Sequence, residues 1–319
     1  MDGISDQSLP AWDGGFASSY FAGLFRDTWV GIPASHITFA RYVVQWNVMS
    51  GGYPAYRSEL EAWLTDIASL GLIADVSLTS YDGSYPSSSA EYQARLEQIL
   101  SRAKELSHPV SYLEAWNEPN NQGNESAGKA AGFTNGAHAA CERSYGCTVI
   151  AGNFEDNPTL SGYEDEYVKD LHFVPAIWGV HPYYSVEDQS EEPFLAFRSH
   201  LPGTGAGRQI WFTEIAARNC LNSGGRVVEN GEVGQSERAS WLVNTLMRNA
   251  RPEHVFYYEL LLKDREQPSC QSEGSDGALY VPGAGGSPPD RPRLAASYIW
   301  GGGLAAGGAQ ATLTGGVYP

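Results

Sequence analysis

The chain has 319 residues, 42% hydrophobic and 18% charged, which is apolar material enough for a large core and excludes disorder along its whole length. Against 37 Asp and Glu stand 20 Lys and Arg, and the net charge of −17 repels phosphate backbones and anionic membrane surfaces, so nucleic acid is not an expected partner. The apolar runs are too short to span a bilayer, so no membrane insertion is expected.

In chain order, short β-branched or aromatic runs alternate with longer helical patterns, the rhythm of a parallel α/β fold. Strands are predicted at 3–6, 37–46, 73–79, 111–117, 148–153, 177–183, 210–214 and 254–260. Helices are predicted between them, including 56–70, 88–106, 127–143 and 235–248. In the first helix Leu60, Leu64, Ile67 and Leu70 recur every three or four residues with Glu59, Glu61 and Asp66 mostly between them, which gives one buried face. Eight strand–helix units point to a single-domain α/β chain folded as a (β/α)8 barrel over residues 1–300. A Rossmann-type sheet is the alternative, but the one tempting glycine cluster, Gly203-Thr-Gly-Ala-Gly, precedes a strand instead of following it. A last helix is expected at 293–300. The Gly-rich tail 301–319 either is poorly ordered or covers the bottom of the barrel; composition allows both.

Four cysteines form two plausible pairs. Cys141 and Cys147 bracket a short loop, and Cys220 and Cys270 each lie in a Gly/Ser-rich loop after a strand. Two disulfides and an oxidising compartment are expected, and with the acidic charge they suggest a secreted protein. Met1 stands almost directly before a strand, with no secretory leader, as in a mature secreted chain given an initiator Met. Asn124-Glu-Ser matches the glycosylation sequon. Neither CxxC nor HExxH occurs, so no metal and no cofactor are expected.

Two strands end in glutamate. The fourth carries Leu113-Glu-Ala-Trp-Asn-Glu118-Pro, and the seventh carries Ile210-Trp-Phe-Thr-Glu214. In a (β/α)8 barrel the C-terminal strand ends form the active-site face, and strands four and seven lie across its mouth from each other. Cleavage of a glycosidic bond needs a protonated acid at the leaving oxygen and a carboxylate on the opposite face of the sugar. A lone glutamate at a strand end is ordinarily a solvated side chain; two at matching ends shift the weight to catalysis.

Trp116-Asn-Glu-Pro-Asn and Thr213-Glu, together with His181-Pro-Tyr183, resemble the signature of clan A glycoside hydrolases, and the first of these motifs is nearest to glycoside hydrolase family 39. The resemblance implies a retaining enzyme with Glu118 as proton donor and Glu214 as nucleophile. It further implies that Asn117 binds the sugar 2-hydroxyl, that Arg41 keeps Glu214 ionised, that Tyr183 hydrogen-bonds the nucleophile and that His181 lines the acid–base side. Glu118 is expected to hold a proton near neutral pH. His181 and Tyr183, two apart on one strand, are expected to point the same way. Trp46, Tyr81, Phe154 and Tyr184 are candidates for stacking on sugars. At the eighth strand the clan's tryptophan is replaced by Phe256-Tyr-Tyr258-Glu259, where Tyr258 is the candidate substitute. Glu259, with Lys263 as an ion-pair partner, and Asp6 are further acids at strand ends. The expected partner is a carbohydrate and the expected state a monomer. The competing expectation is a barrel that binds polysaccharide without cleaving it.

Overall fold

The computed structural model describes residues 2–5, 37–121, 125–202, 208–218, 220–223, 226–229, 231–258, 280–281, 291–292 and 299. The strands are β1 (Gly3–Ser5), β2 (Phe39–Gln45), β3 (Ile73–Thr79), β4 (Tyr112–Glu114), β5 (Thr148–Glu155), β6 (Ile177–His181), β7 (Gln209–Ile215), β8 (Cys220–Ser223), β9 (Arg226–Glu229), β10 (Val255–Tyr257), β11 (Tyr280–Val281) and β12 (Arg291–Pro292). Eight of them close into a barrel in the order β1-β10-β7-β6-β5-β4-β3-β2, and every neighbouring pair is parallel. The other four form two antiparallel hairpins, β8 with β9 and β11 with β12. A parallel strand covered on both faces reads as a nearly continuous apolar run, and all seven residues of β2 are buried.

The helices are α1 (Pro54–Ser69), α2 (Ser89–Glu105), α3 (Ala127–Ala140), α4 (Leu160–Lys169), α5 (Tyr183–Glu187), α6 (Glu192–His200), α7 (Gly231–Trp241) and α8 (Met247–Ala250). The α1 helix begins with proline, whose missing N–H costs nothing in a first turn, and buries Leu60, Trp63, Leu64 and Ile67. At the start of α2, Ser88 Oγ accepts the Glu91 N–H at 3.2 Å while the Glu91 carboxylate accepts the Ser87 N–H at 2.8 Å. These faces pack on outward residues of the strands, such as Tyr42, Val44, Val76 and Leu78, to form the core between barrel and helices.

Inside the barrel, Phe39, Ile150, Ile177, Trp211 and Phe256 build a separate apolar floor near the N-terminal ends of the strands. Above it the interior turns polar: Ser5, Arg41, Asp75, Ser77, Glu114, Asn153 and Thr213 are all buried. Such a layer holds only if its members satisfy one another.

The sixth strand is shorter than its sequence predicts. It ends at His181, and Tyr183 already lies in α5. Pro182 has no N–H to continue the ladder, so alternation along one strand is not what aims His181 and Tyr183. The helix predicted at 127–143 runs to Ala140 and continues as a π-helical turn, Cys141–Tyr145. Cys141 and Cys147 are joined by a disulfide. Among the described residues no helix is long and apolar enough to cross a membrane. Asp6, Asn124, 203–207, Glu259, Lys263, Cys270 and the tail 301–319 lie outside the described residues, as do all of 293–300 except Ile299 and the side chain of Cys220.

Candidate active site

Directly after β4, Asn117 donates its N–H to Leu78 O at 2.7 Å, and Glu118 donates its own to Asn153 O at 3.1 Å. Glu118 has φ +45°, a left-handed backbone rare outside glycine, which costs about 1–3 kcal/mol and persists only where neighbours impose it. The neighbour is β5, which bulges between Gly152 and Phe154 and thereby turns the Asn153 carbonyl toward Glu118. Local strain thus aims one carboxylate into the barrel mouth.

Facing it, Glu214 at the end of β7 is 7% exposed. Its Oε1 accepts the Tyr183 hydroxyl at 2.9 Å, and its Oε2 accepts Arg41 Nη1 at 2.5 Å. Both oxygens therefore accept hydrogen bonds, as an ionised carboxylate does. Arg41 is fully buried and makes four further hydrogen bonds. Its Nε and Nη2 reach Glu114 at 2.8 and 2.7 Å, Nη2 also reaches Asn117 Oδ1 at 2.7 Å, and Nη1 reaches Ser5 Oγ at 3.1 Å. All five N–H groups of the guanidinium are used. Because β2 adjoins neither β4 nor β7, these bonds cross the barrel interior and fix three strands to one cation.

On the other side, His181 Nδ1 lies 2.8 Å from Glu118 Oε1, and Asn121 Nδ2 donates to Glu118 Oε2 at 3.2 Å. One oxygen of each glutamate and one His181 nitrogen all lie within 4.8 Å of one another. A metal ion could be held by three such atoms, but Arg41 already supplies the positive charge at Glu214, and Glu118 is bonded to His181. No metal is needed to account for the cluster.

The protonation of Glu118 differs from the sequence expectation. Burial pushes its carboxyl up, but the hydrogen bond and charge of His181, with Asn121 and Arg218, outweigh it and hold the group down at about 2. Glu118 is thus ionised at neutral pH in the substrate-free protein, with His181 Nδ1 2.8 Å from its Oε1, and it must gain a proton before it can give one.

The other expected residues are placed as follows. Tyr258 follows β10, half-buried, with its N–H on Ile215 O at 2.8 Å. Trp46 is only 3% exposed and donates its indole N–H to Ser84 O at 2.9 Å, so it belongs to the core and offers no open face to a sugar. Phe154 is likewise fully buried, whereas Tyr81 is 47% exposed and Tyr184 half-buried. Residues that sequence reasoning passed over include Ser5, Asp75, Glu114, Asn121, Glu155 and Arg218. Glu155, beside His181 in the register of β5 and β6, is pushed up to about 7 by burial and by the charge of Glu118. The Arg218 guanidinium lies 4.1 Å over the Tyr183 ring. One signal was available: a charged residue in mid-strand of an otherwise apolar run, as in Phe39-Ala-Arg-Tyr-Val-Val and Ile73-Ala-Asp-Val-Ser-Leu, must face a polar interior.

No protein-family model and no curated protein sequence matches the chain. Solved structures do. A glycoside hydrolase family 30 subfamily 8 xylanase from Clostridium acetobutylicum matches with TM-score 0.56 and 16% identity over 94% of this chain and 69% of its own. A GH5_18 protein from Streptomyces cattleya, solved with Manβ1-4GlcNAc, matches with TM-score 0.63 and 13% identity over 94% and 79%. A fungal β-1,4-galactanase matches with TM-score 0.61 and 14% identity over 94% and 98%. The fold is the closed (β/α)8 barrel on which these glycoside hydrolases are built. At such identities the likeness is one of fold.

Proposed function

We propose that the protein is a retaining glycoside hydrolase that cleaves a β-linked poly- or oligosaccharide by double displacement, with Glu214 as nucleophile and Glu118 as acid and base. The observation that carries this reading is the approach of the two carboxylates to within 4.8 Å across the mouth of the barrel. Direct attack with retention uses a pair about 5–5.5 Å apart, whereas inversion leaves about 6.5–9.5 Å for a water.

In the first step a Glu214 oxygen bonds to the anomeric carbon, the glycosidic C–O bond breaks, and a proton carried by Glu118 passes to the leaving oxygen. In the second, water gives a proton back to Glu118 and its oxygen displaces Glu214. In this reading Asn117, hydrogen-bonded to Arg41, meets the sugar hydroxyl next to the reacting carbon, and Tyr183, hydrogen-bonded to Glu214, steadies the nucleophile. A carbohydrate is thus the expected partner, and secretion agrees with the Cys141–Cys147 disulfide. Placement nearest to family 39 rests on the Trp116-Asn-Glu-Pro-Asn motif alone.

The test is hydrolysis of a panel of aryl glycosides and polysaccharides, with NMR following the anomer first released. Glu214→Gln and Glu118→Gln should each lower kcat by about 10³-fold or more on unactivated substrates while carbohydrate binding survives. Undiminished hydrolysis by the double variant would end the proposal, and binding without turnover by the unaltered chain would favour a polysaccharide-binding barrel.

A further inference from the structure

Glu114 has no part in the steps above, yet it is a fully buried acid of the polar layer. It is 0% exposed, and it takes two of the five Arg41 N–H groups, at 2.8 and 2.7 Å, more than any other partner. It stands four residues before Glu118 in the same chain segment, and Ser77 is its neighbour across the ladder from β3. A buried guanidinium facing two carboxylates leaves one negative charge uncompensated, an arrangement that seldom repays its desolvation. Two anions therefore compete for one cation, and Arg41 divides its remaining donors among Asn117, Ser5 and Glu214.

We propose that Glu114 is a positioning residue for the nucleophile: by gripping Arg41 at Nε and Nη2 it fixes how the guanidinium is shared between Asn117 and Glu214, and its charge keeps Arg41 from quenching the basicity of Glu214. Direct contact with the substrate has no part in this role, and its catalytic consequence rests on the glycosidase reading of the site.

The groups around the pair determine the design of the test. Glu214 is faced by Arg41 from β2, Glu118 from the turn after β4, His181 from β6, Tyr183 from α5 with Arg218 over its ring, and at longer range by Tyr81. Arg41 and Glu114 are also faced by fully buried Asp75 from β3, whose carboxyl is pushed far up by burial and by the charge and hydrogen bond of Glu114. Neutralising Glu114 alone would remove part of what holds the Asp75 carboxyl up, so the two acids are varied together. The comparison is therefore between Asp75→Asn and the double variant Asp75→Asn/Glu114→Gln.

The readout is the titration of the Glu214 carboxyl carbon by ¹³C NMR in the substrate-free protein. With Glu114 neutral, Arg41 acts on Glu214 undivided, so the Glu214 midpoint should fall by about one pH unit. In parallel, kcat on an aryl glycoside should fall about tenfold with KM changed less, and the acid limb of kcat should move to lower pH by the same interval. A merely structural role would lower Tm and leave the Glu214 midpoint where it was; that result overturns the proposal. If the double variant does not fold, Asp75→Asn/Glu114→Asp keeps the charge but draws it back by one methylene, and a smaller fall of the midpoint is expected. An unchanged midpoint there overturns the proposal equally. The carbon titration needs no substrate, so a chain that hydrolyses no glycoside would sink the enzymatic reading and leave the electrostatic one still decided by the NMR.

Discussion

The contact between His181 and Glu118 determines how the pH dependence of the site should respond to substitution. Of the influences that hold the Glu118 carboxyl down, the hydrogen bond and charge of His181 are the largest. Replacing His181 by Gln removes the charge, so Glu118 keeps its proton to higher pH. The alkaline limb of kcat/KM should then move to higher pH, by about one unit, in a pH–rate series on an aryl glycoside. A limb unmoved in this variant would show that His181 does not set the protonation of Glu118. Of the residues involved, Glu118, Asn117, Arg41, Glu214, His181 and Tyr183 were all legible as strand-end or motif residues. Glu118's protonation was not, because it depends on a side chain 63 positions away whose ring nitrogen lies 2.8 Å from it.

The elements that aim Glu118 depend on one glycine. A Cβ on Gly179 in β6 would lie 1.9 Å from Asn153 Oδ1 and 2.9 Å from Thr213 Oγ1. Asn153 accepts the Thr213 hydroxyl at 3.0 Å, and its carbonyl holds the Glu118 N–H. Gly179→Ala must therefore displace Asn153 and loosen the strained turn above it. The expected cost is about 2 kcal/mol in chemical denaturation, with a fall in kcat. Gly162→Ala in α4, where the added carbon meets nothing within 4 Å, should be neutral or stabilise by about 0.5–1 kcal/mol. Strand positions were readable because parallel barrel strands are covered on both faces and carry long β-branched and aromatic runs, and all eight predicted runs contain or overlap an observed one. What periodicity could not give was the end of β6 at Pro182 or the bulge in β5. Both are set by hydrogen bonding between neighbouring strands.

On the scale of the whole molecule, several buried acids make stability depend on pH. Burial pushes Glu164, fully buried in α4 with neither oxygen hydrogen-bonded, up to about 9, and Asp156 and Glu155 up to about 6 and 7. Each is neutral more readily in the folded chain than in the unfolded one, where such carboxyls titrate near about 4. Their contribution is thus complete below that pH and is lost as the pH climbs toward the folded values. Tm should decline between pH 5 and pH 8, and Glu164→Gln should flatten the decline; a variant curve parallel to the original would refute this assignment of Glu164. The opposite case is Glu61, held at about 2 by Arg102 and Arg57, whose contribution disappears only in stronger acid.

The barrel closes where β1 meets β10, with Gly3 opposite Phe256 and Ile4 opposite Tyr257. Asp2 adds a hydrogen bond to His254 Nδ1 and accepts the Val255 N–H at 3.2 Å. During synthesis, therefore, β1 can meet β2 early but must wait for more than two hundred further residues to leave the ribosome before β10 exists. Until then the growing sheet carries two bare borders, and it is in that interval that the cell's folding assistants would have most to guard.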